Sequence, residues 1–272
     1  MKRASMVLLI LLAFVGSTMG VSVSADTNGL ASADQHGPAG IWGPQPGLTL
    51  QWQLQGKLDT SIDVDVYNID MFDNSAAVVD ELHDDGRKVI CYISAGSWER
   101  WRPDADEFPA SVKGRKLDGW SGERWLDVRR LAKLRPIMNA RMDRCANKGF
   151  DGIEFDNVDA YTNKSGFPLK GRHQKRYNKY LAAAANTRGL AAGLKNDLNQ
   201  IDDLEPHFEF AVNEQCFQYH ECRHLTDFID AGKAVFQIEY ELPRSEFCPQ
   251  ANDRDFSSMR KRYSLKVWRR PC

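Results

Sequence analysis

From Trp42 onward the chain repeats one alternation, a short apolar run bounded by turn residues and then a segment of helical period. Runs with strand character fall at 49–54, 64–69, 88–93, 152–155, 191–194, 208–212, 234–238 and 265–268. Between them, Asn74 or Ser75 caps a helical run through Val78, Val79 and Leu82 that stops at Gly86. Residues 128–147 continue with the same period, and Pro136 is expected to split them. Residues 170–187, rich in Tyr and Ala and ended by Gly189, are the clearest helix; 225–231 is short, and 252–263 completes the set. Eight strand runs alternating with helical segments suggest a parallel barrel rather than an open sheet. The length available, roughly 230 residues without an internal linker, is close to that of one (β/α)8 barrel. The expected fold is therefore α/β, a single-domain (β/α)8 TIM barrel over residues 41–272. A doubly wound sheet is the alternative, but there is no Gly-x-Gly-x-x-Gly turn to go with it.

Residues 1–25 have the parts of a secretory signal: Lys2 and Arg3, an apolar run from Met6 to Val15, and small residues closing on Val23-Ser24-Ala25. The apolar run is too short to span a bilayer, so cleavage after Ala25 and export are expected, with no membrane attachment afterwards. Residues 26–40 read as a flexible polar leader without a core pattern. Cleavage would leave 34 Lys and Arg against 37 Asp and Glu, a net charge of about −3. That balance argues against a nucleic-acid partner, which selects a basic surface. The expected form is a monomer.

Six cysteines in an exported chain make disulfides the default, and fifteen pairings are open. Cys216 and Cys222 are near enough to close a small loop, Cys272 can staple the C-terminus to Cys248, and Cys91 is then left for Cys145. Metal thiolates are the alternative, but no Cys-x-x-Cys pair is present.

The run from Gly149 to Tyr161 reads as a buried strand leading into a carboxylate-rich loop. Alternation sends Ile153 and Phe155 to one face and Glu154 and Asp156 to the other. Buried parallel strands are ordinarily apolar on both faces, and an unpaired carboxylate there costs several kcal/mol. A salt-bridged strand end is the favoured reading for Glu154. For Asp156, the last residue before the chain leaves the strand, function is favoured.

Barrel chemistry collects at the C-terminal ends of the strands. Asp70 and Asp73 stand after the second run, and Tyr92, Ser94, Ser97 and Trp98 after the third. Asp156, Asn157, Asp159 and Tyr161 follow the fourth; Lys195, Asn196 and Asp197 the fifth; Asn213 and Glu214 the sixth; Glu239, Tyr240 and Glu241 the seventh. Singly, each group has a plainer reading as a helix cap or solvated loop, Asn196 and Asp197 above all. Together they place several carboxylates and aromatics around one mouth, as a sugar site needs. Two carboxylates across a glycosidic bond are the machinery of most glycoside hydrolases, and Asp156 and Glu214, at the fourth and sixth strand ends, are the candidate pair. Trp98 or Tyr240 could stack on a pyranose ring, though aromatics there also finish packing layers.

The motifs Trp52-Gln53-Leu54, Tyr67-Asn68-Ile69-Asp70, Cys91-Tyr92-Ile93-Ser94-Ala95-Gly96-Ser97-Trp98-Glu99, Trp125-Leu126-Asp127-Val128-Arg129, the 149–161 stretch, Gly193-Leu194-Lys195-Asn196-Asp197 and Val212-Asn213-Glu214-Gln215-Cys216 together resemble glycoside hydrolase family 114, the endo-α-1,4-polygalactosaminidases. The resemblance implies a (β/α)8 barrel, no cofactor, and hydrolysis of α-1,4-linked galactosamine polymers with retention. By matching motif it makes Asp156 the nucleophile and Glu214 the acid/base. It leaves Tyr92, Lys195 and Asn196 as substrate-binding candidates. A deacetylated galactosamine unit carries an ammonium near neutral pH, so Asp70, Asp159, Asp197 and Glu239 are candidates to receive it. Asp70 and Glu239 are preferred, because strand ends are more rigid than loops; the alternative is that these acids cap helices or pair with Lys195 and Arg129.

Two rival readings are weighed against this one. His220-Glu221-Cys222-Arg223-His224 fits the His-Glu-x-x-His pattern of zinc hydrolases, but it follows a strand end, has a disulfide candidate at its centre and is followed by no third ligand. No metal site is expected. A secreted sugar-binding barrel without catalysis would be marked by loss of Asp156 or Glu214, and both are present.

Overall fold

A computed structural model of the chain describes residues 40–272. The expected signal segment, and the leader apart from Gly40, lie outside the described residues. The chain opens with β1 (Leu50–Gln53), β2 (Val66–Asp70), α1 (Ala76–Asp84) and β3 (Lys88–Ser94). It then leaves the barrel for β4 (Ser97–Glu99), β5 (Lys113–Lys116) and β6 (Glu123–Leu126), a small antiparallel sheet of order β4-β6-β5. The barrel resumes with α2 (Leu131–Asn147), β7 (Gly152–Asp156), α3 (Gly171–Asn186), β8 (Ala191–Lys195), α4 (Ile201–Leu204) and β9 (Phe210–Glu214). It finishes with α5 (Thr226–Asp230), β10 (Val235–Glu239), α6 (Arg244–Asn252), β11 (Ser257–Arg260) and β12 (Arg270–Pro271).

The main sheet has the order β1-β2-β3-β7-β8-β9-β10-β11-β12, parallel throughout except for the antiparallel β12. Its first eight strands form the (β/α)8 barrel. At the seam, the N–H groups of Leu54 and Gln55 donate to the Leu265 carbonyl at 3.0 and 3.2 Å, and Gln51 Nε2 donates to that of Val267 at 3.0 Å. Seven of the eight expected strands are found within two residues of their expected limits. The eighth is not at 265–268: it is β11 at Ser257–Arg260, preceded by α6 at Arg244–Asn252, so the helix expected at 252–263 is not found there. The reason is compositional. Ser-Ser-Met-Arg has no apolar run to read, and α6 contains Pro249.

Helix α2 runs unbroken through Pro136, contrary to the expected split. Pro136 is its sixth residue, so the missing N–H deletes only one early backbone bond, beside an N-terminal turn whose donors have no helical partner in any case. The expected helix start before α1 is met by Ser75 in the cap position, with no side-chain cap bond.

Strand parity separates two cores. Tyr67, Ile69, Cys91, Ile153, Phe155 and Leu194 face the helices. Leu50, Trp52, Ile90, Phe210, Phe236 and Ile238 fill the barrel interior. Space inside is tight: a Cβ on Gly193 would sit 2.2 Å from the Phe210 ring. Three disulfides join Cys91 to Cys145, Cys216 to Cys222 and Cys248 to Cys272, the pairing that sequence proximity favoured. None of the described helices is long and apolar enough to cross a membrane.

Candidate active site

The parity that buries Ile153 and Phe155 outward turns Glu154 and Asp156 inward at the top of β7, and it does the same for Lys195 on β8 and Glu214 on β9. Lys195 is the hub. Its Nζ lies 3.1 Å from Asp156 Oδ1, 3.0 Å from Glu214 Oε2 and 3.3 Å from Glu154 Oε1, and 5.0 Å from the centre of the Trp52 ring. Burial alone would pull this amine down, but the three carboxylates hold it well above the ordinary lysine range. With both oxygens bound to one nitrogen, Asp156 Oδ1 and Glu214 Oε2 stand no more than about 6 Å apart; retaining pairs are about 5–5.5 Å apart and inverting pairs about 6.5–9.5 Å.

Each carboxylate is fixed from a second side. Asp156 accepts from the Tyr92 hydroxyl at 2.7 Å and from the Asn157 N–H at 2.8 Å. Glu214 accepts from the Tyr240 hydroxyl, and its own N–H donates to Asn196 Oδ1 at 3.0 Å. Glu154, fully buried, accepts from Trp52 Nε1 at 2.9 Å and from Asn68 Nδ2. Burial pushes Glu154 up to about 7 against the pull of Lys195. It is a salt-bridged strand residue, as expected. Asn157, Asn196 and Gln215, each just after its strand, adopt positive φ of 61, 51 and 64°, a left-handed turn that Asn tolerates better than most residues. These turns bring the chain sharply off the strands and hold the carboxylates at the mouth.

The mouth is a cleft of about 540 Å³. Of the residues singled out by sequence, Asp70, Tyr92, Asp156, Asp159, Lys195, Asn196, Glu214 and Tyr240 line it. Burial, then Asp156, pushes Asp159 up to about 6. Three others do not line it. Glu239 follows Ile238, which faces inward, so its side chain turns outward and binds the Phe217 N–H at 3.0 Å and Gln237 Nε2 at 2.8 Å. Asp197 is buried against Asn178 Nδ2 at 2.9 Å, where burial and then Asp159 push it up to about 8. Trp98 donates to the Ala105 carbonyl at 2.9 Å, and Lys113 lies over its ring. Asp70 does reach the cleft, but Arg102 holds both of its oxygens and the N–H groups of Phe72 and Asp73 share one of them. These contacts leave neither Asp70 nor Glu239 free to hold a cation from the substrate.

Sequence reading missed the wall supplied by the β4–β6 sheet. Glu99, Trp101, Glu123 and Trp125 line the cleft from there, with Trp120 beside them and Tyr263 on the opposite C-terminal loop, stacked on Tyr240 at 4.3 Å. The only available signal was the density of Trp and Glu between 98 and 125. The His-Glu-x-x-His segment is no helix: His220 has φ 58°, Cys222–Leu225 is a 3-10 turn, and Cys222 is bonded to Cys216. Among the described residues no group of His, Cys, Asp and Glu is arranged to hold a metal ion.

The model of glycoside-hydrolase family GH114 matches residues 31–272. Among solved structures, Ega3 of Aspergillus fumigatus, in complex with galactosamine, is similar at 39% identity and TM-score 0.81, over 85% of this chain and 97% of that one. The glycoside hydrolase domain of PelA from Pseudomonas aeruginosa shares the fold at 15% identity and TM-score 0.64, over 82% of this chain and 98% of that one. No curated protein sequence matches significantly.

Proposed function

The chain belongs to glycoside hydrolase family GH114, and from that premise we propose that it is an exported, endo-acting, retaining hydrolase of α-1,4-linked galactosamine polymers. Asp156 attacks the anomeric carbon while Glu214 protonates the departing glycosidic oxygen; Glu214 then takes a proton from the water that releases the sugar from Asp156. The observation that supports the retaining reading is the shared ammonium, which keeps one oxygen of each carboxylate, Asp156 Oδ1 and Glu214 Oε2, within about 6 Å of the other, whereas an inverting pair stands about 6.5–9.5 Å apart to admit water. Lys195 sets its ammonium 3.1 Å from Asp156 Oδ1 and fixes that carboxylate in place for attack. Tyr92 and Tyr240 orient the two acids without competing for their protons, since burial pushes both phenols far above the ordinary tyrosine range. Galactosamine bound to Ega3 supports an amino sugar as substrate, and Asp159, in the cleft without an ion pair among the described residues, suits its ammonium. Three disulfides fit an oxidising compartment.

The test is product analysis on deacetylated and fully N-acetylated galactosamine polymer. The expected result is internal cleavage of the deacetylated form, with the newly formed reducing end retaining its α configuration by NMR. Asp156→Asn and Glu214→Gln keep the shape and remove the charge or the transferable proton, so each should lower turnover by orders of magnitude with the fold intact. An inverted product, or near wild-type turnover in either variant, overturns the assignment.

A further inference from the structure

In the register of β4 against β6, Glu99 stands directly opposite Glu123. Like charges so placed oppose one another, and both side chains are buried, at 3% and 6% exposure. The surroundings answer only one of them. Glu99 accepts from Arg102 Nε at 2.8 Å and lies 3.7 Å from Arg141. Glu123 forms no ion pair with any described residue: Oε2 accepts from Ser97 Oγ at 2.6 Å, Oε1 accepts no hydrogen bond, and the side chain lines the cleft. The contrast with its neighbours is sharp. Asp156, Glu154 and Glu214 share Lys195, and Asp70 shares Arg102 with Glu99. A buried carboxylate with no counter-ion weakens the fold, and in a cleft such a group marks a functional position.

Resting on the galactosamine reading above, we infer that Glu123 receives the ammonium group of a deacetylated unit of the polymer other than the one at Asp159, the substrate supplying the counter-ion that the fold withholds. A hydroxyl would not offset the charge. A metal ion would need further free ligands, and Glu99 is already engaged. Trp125 and Trp120 on the same wall offer faces to the ring that carries the ammonium.

The position is also wired to the nucleophile. Ser97 Oγ is 2.6 Å from Ser94 Oγ, which accepts from Asn157 Nδ2 at 2.9 Å, and Asn157 is the residue whose N–H holds Asp156. With Glu123 ionised, Ser97 must donate to it and Ser94 to Ser97. The Ser94 lone pair is then left for Asn157, and the chain of bonds runs in one direction. Burial pushes the free Glu123 up to about 7. An arriving ammonium favours the ionised form, so binding near neutral pH expels a proton.

The experiment is titration calorimetry with a galactosamine tetramer and its fully N-acetylated counterpart, on Asp156→Asn protein to prevent turnover, in two buffers of different ionisation enthalpy. At pH 7 the cationic tetramer should bind with release of on the order of half a proton. Adding Glu123→Gln should weaken that binding about tenfold, abolish the proton release and lessen the salt dependence, with a smaller loss on the acetylated tetramer. Glu123→Asp should restore part of the preference. Gln is isosteric and removes an unpaired charge, so the variant should melt no lower than its parent; if it does, Ser97→Ala, which frees Oε2, serves as the second probe and should also change the proton count. Equal losses on both tetramers, or unchanged proton release, overturn the inference. Wild-type enzyme that cleaves neither polymer would instead overturn the proposed function.

Discussion

Lys195 sets how much negative charge the barrel mouth can hold. Three carboxylates converge on its Nζ, two of them catalytic in the proposed mechanism and one, Glu154, with no exposure at all. Replacing it with Met would leave all three facing one another in a low-dielectric site, where removing one partner of a buried pair costs about 3–5 kcal/mol. Lys195→Met should therefore lose at least about 100-fold in turnover and melt lower than wild type. Glu154, already raised to about 7 by burial, would rise further without the ammonium and be neutral at pH 5. The deficit in melting temperature should thus shrink as the pH is lowered from 8 to 5. A deficit that grows on acidification would mean that Lys195 is not the counter-ion described.

At the scale of elements, the β4–β6 sheet makes an ordinary barrel into one with a walled cleft, and a single glycine joins the two. The N–H groups of Ala95 and Gly96 both donate to the Asp156 carbonyl at 3.0 Å, and the Leu126 N–H donates to the Gly96 carbonyl at 2.9 Å. A Cβ on Gly96 would fall 1.6 Å from the Asn157 carbonyl oxygen. That is backbone and cannot swing aside, so the turn that follows the proposed nucleophile would have to move. Gly96→Ala is expected to abolish measurable turnover and to lower the melting temperature by several degrees, read by activity and calorimetry on the same sample. A fully active Gly96→Ala enzyme would contradict this close approach.

Across the whole molecule, acids buried to shape the cleft leave a signature in stability. Burial raises Glu99, Glu123 and Glu154 from the ordinary 4.5 to about 7. Between those values the folded state holds more protons than the unfolded chain, so stability is highest below about 4.5 for these groups and declines as pH rises through about 7. Thermal melting without substrate should peak near pH 5 and fall toward pH 8, and Glu123→Gln should flatten the decline. A melting temperature that climbs steadily from pH 5 to 8 would rule out these buried, proton-holding acids.

The sequence alone determined the barrel and put forward the carboxylate pair proposed here as catalytic. Period-2 runs alternating with helical runs report local backbone preference and burial, which is why seven strands, the clearest helix at 170–187 and the inward turn of Asp156 and Glu214 were legible in it. Cysteine spacing in an exported chain likewise favoured the pairing found. Only the tertiary structure decided what the remaining acids do. Glu239 and Tyr240 are adjacent in sequence and face opposite ways, because Ile238 fixes the parity of β10. Asp70 is taken by Arg102, which arrives from the loop after β4, 32 residues later, and no local pattern announces such a contact. The strand Ser257–Arg260 has no apolar run because its partners, not its composition, hold it in the sheet. Glu123 shows the limit most plainly: its significance lies in a cation that is missing, and a missing partner can be seen only when every neighbour has been placed.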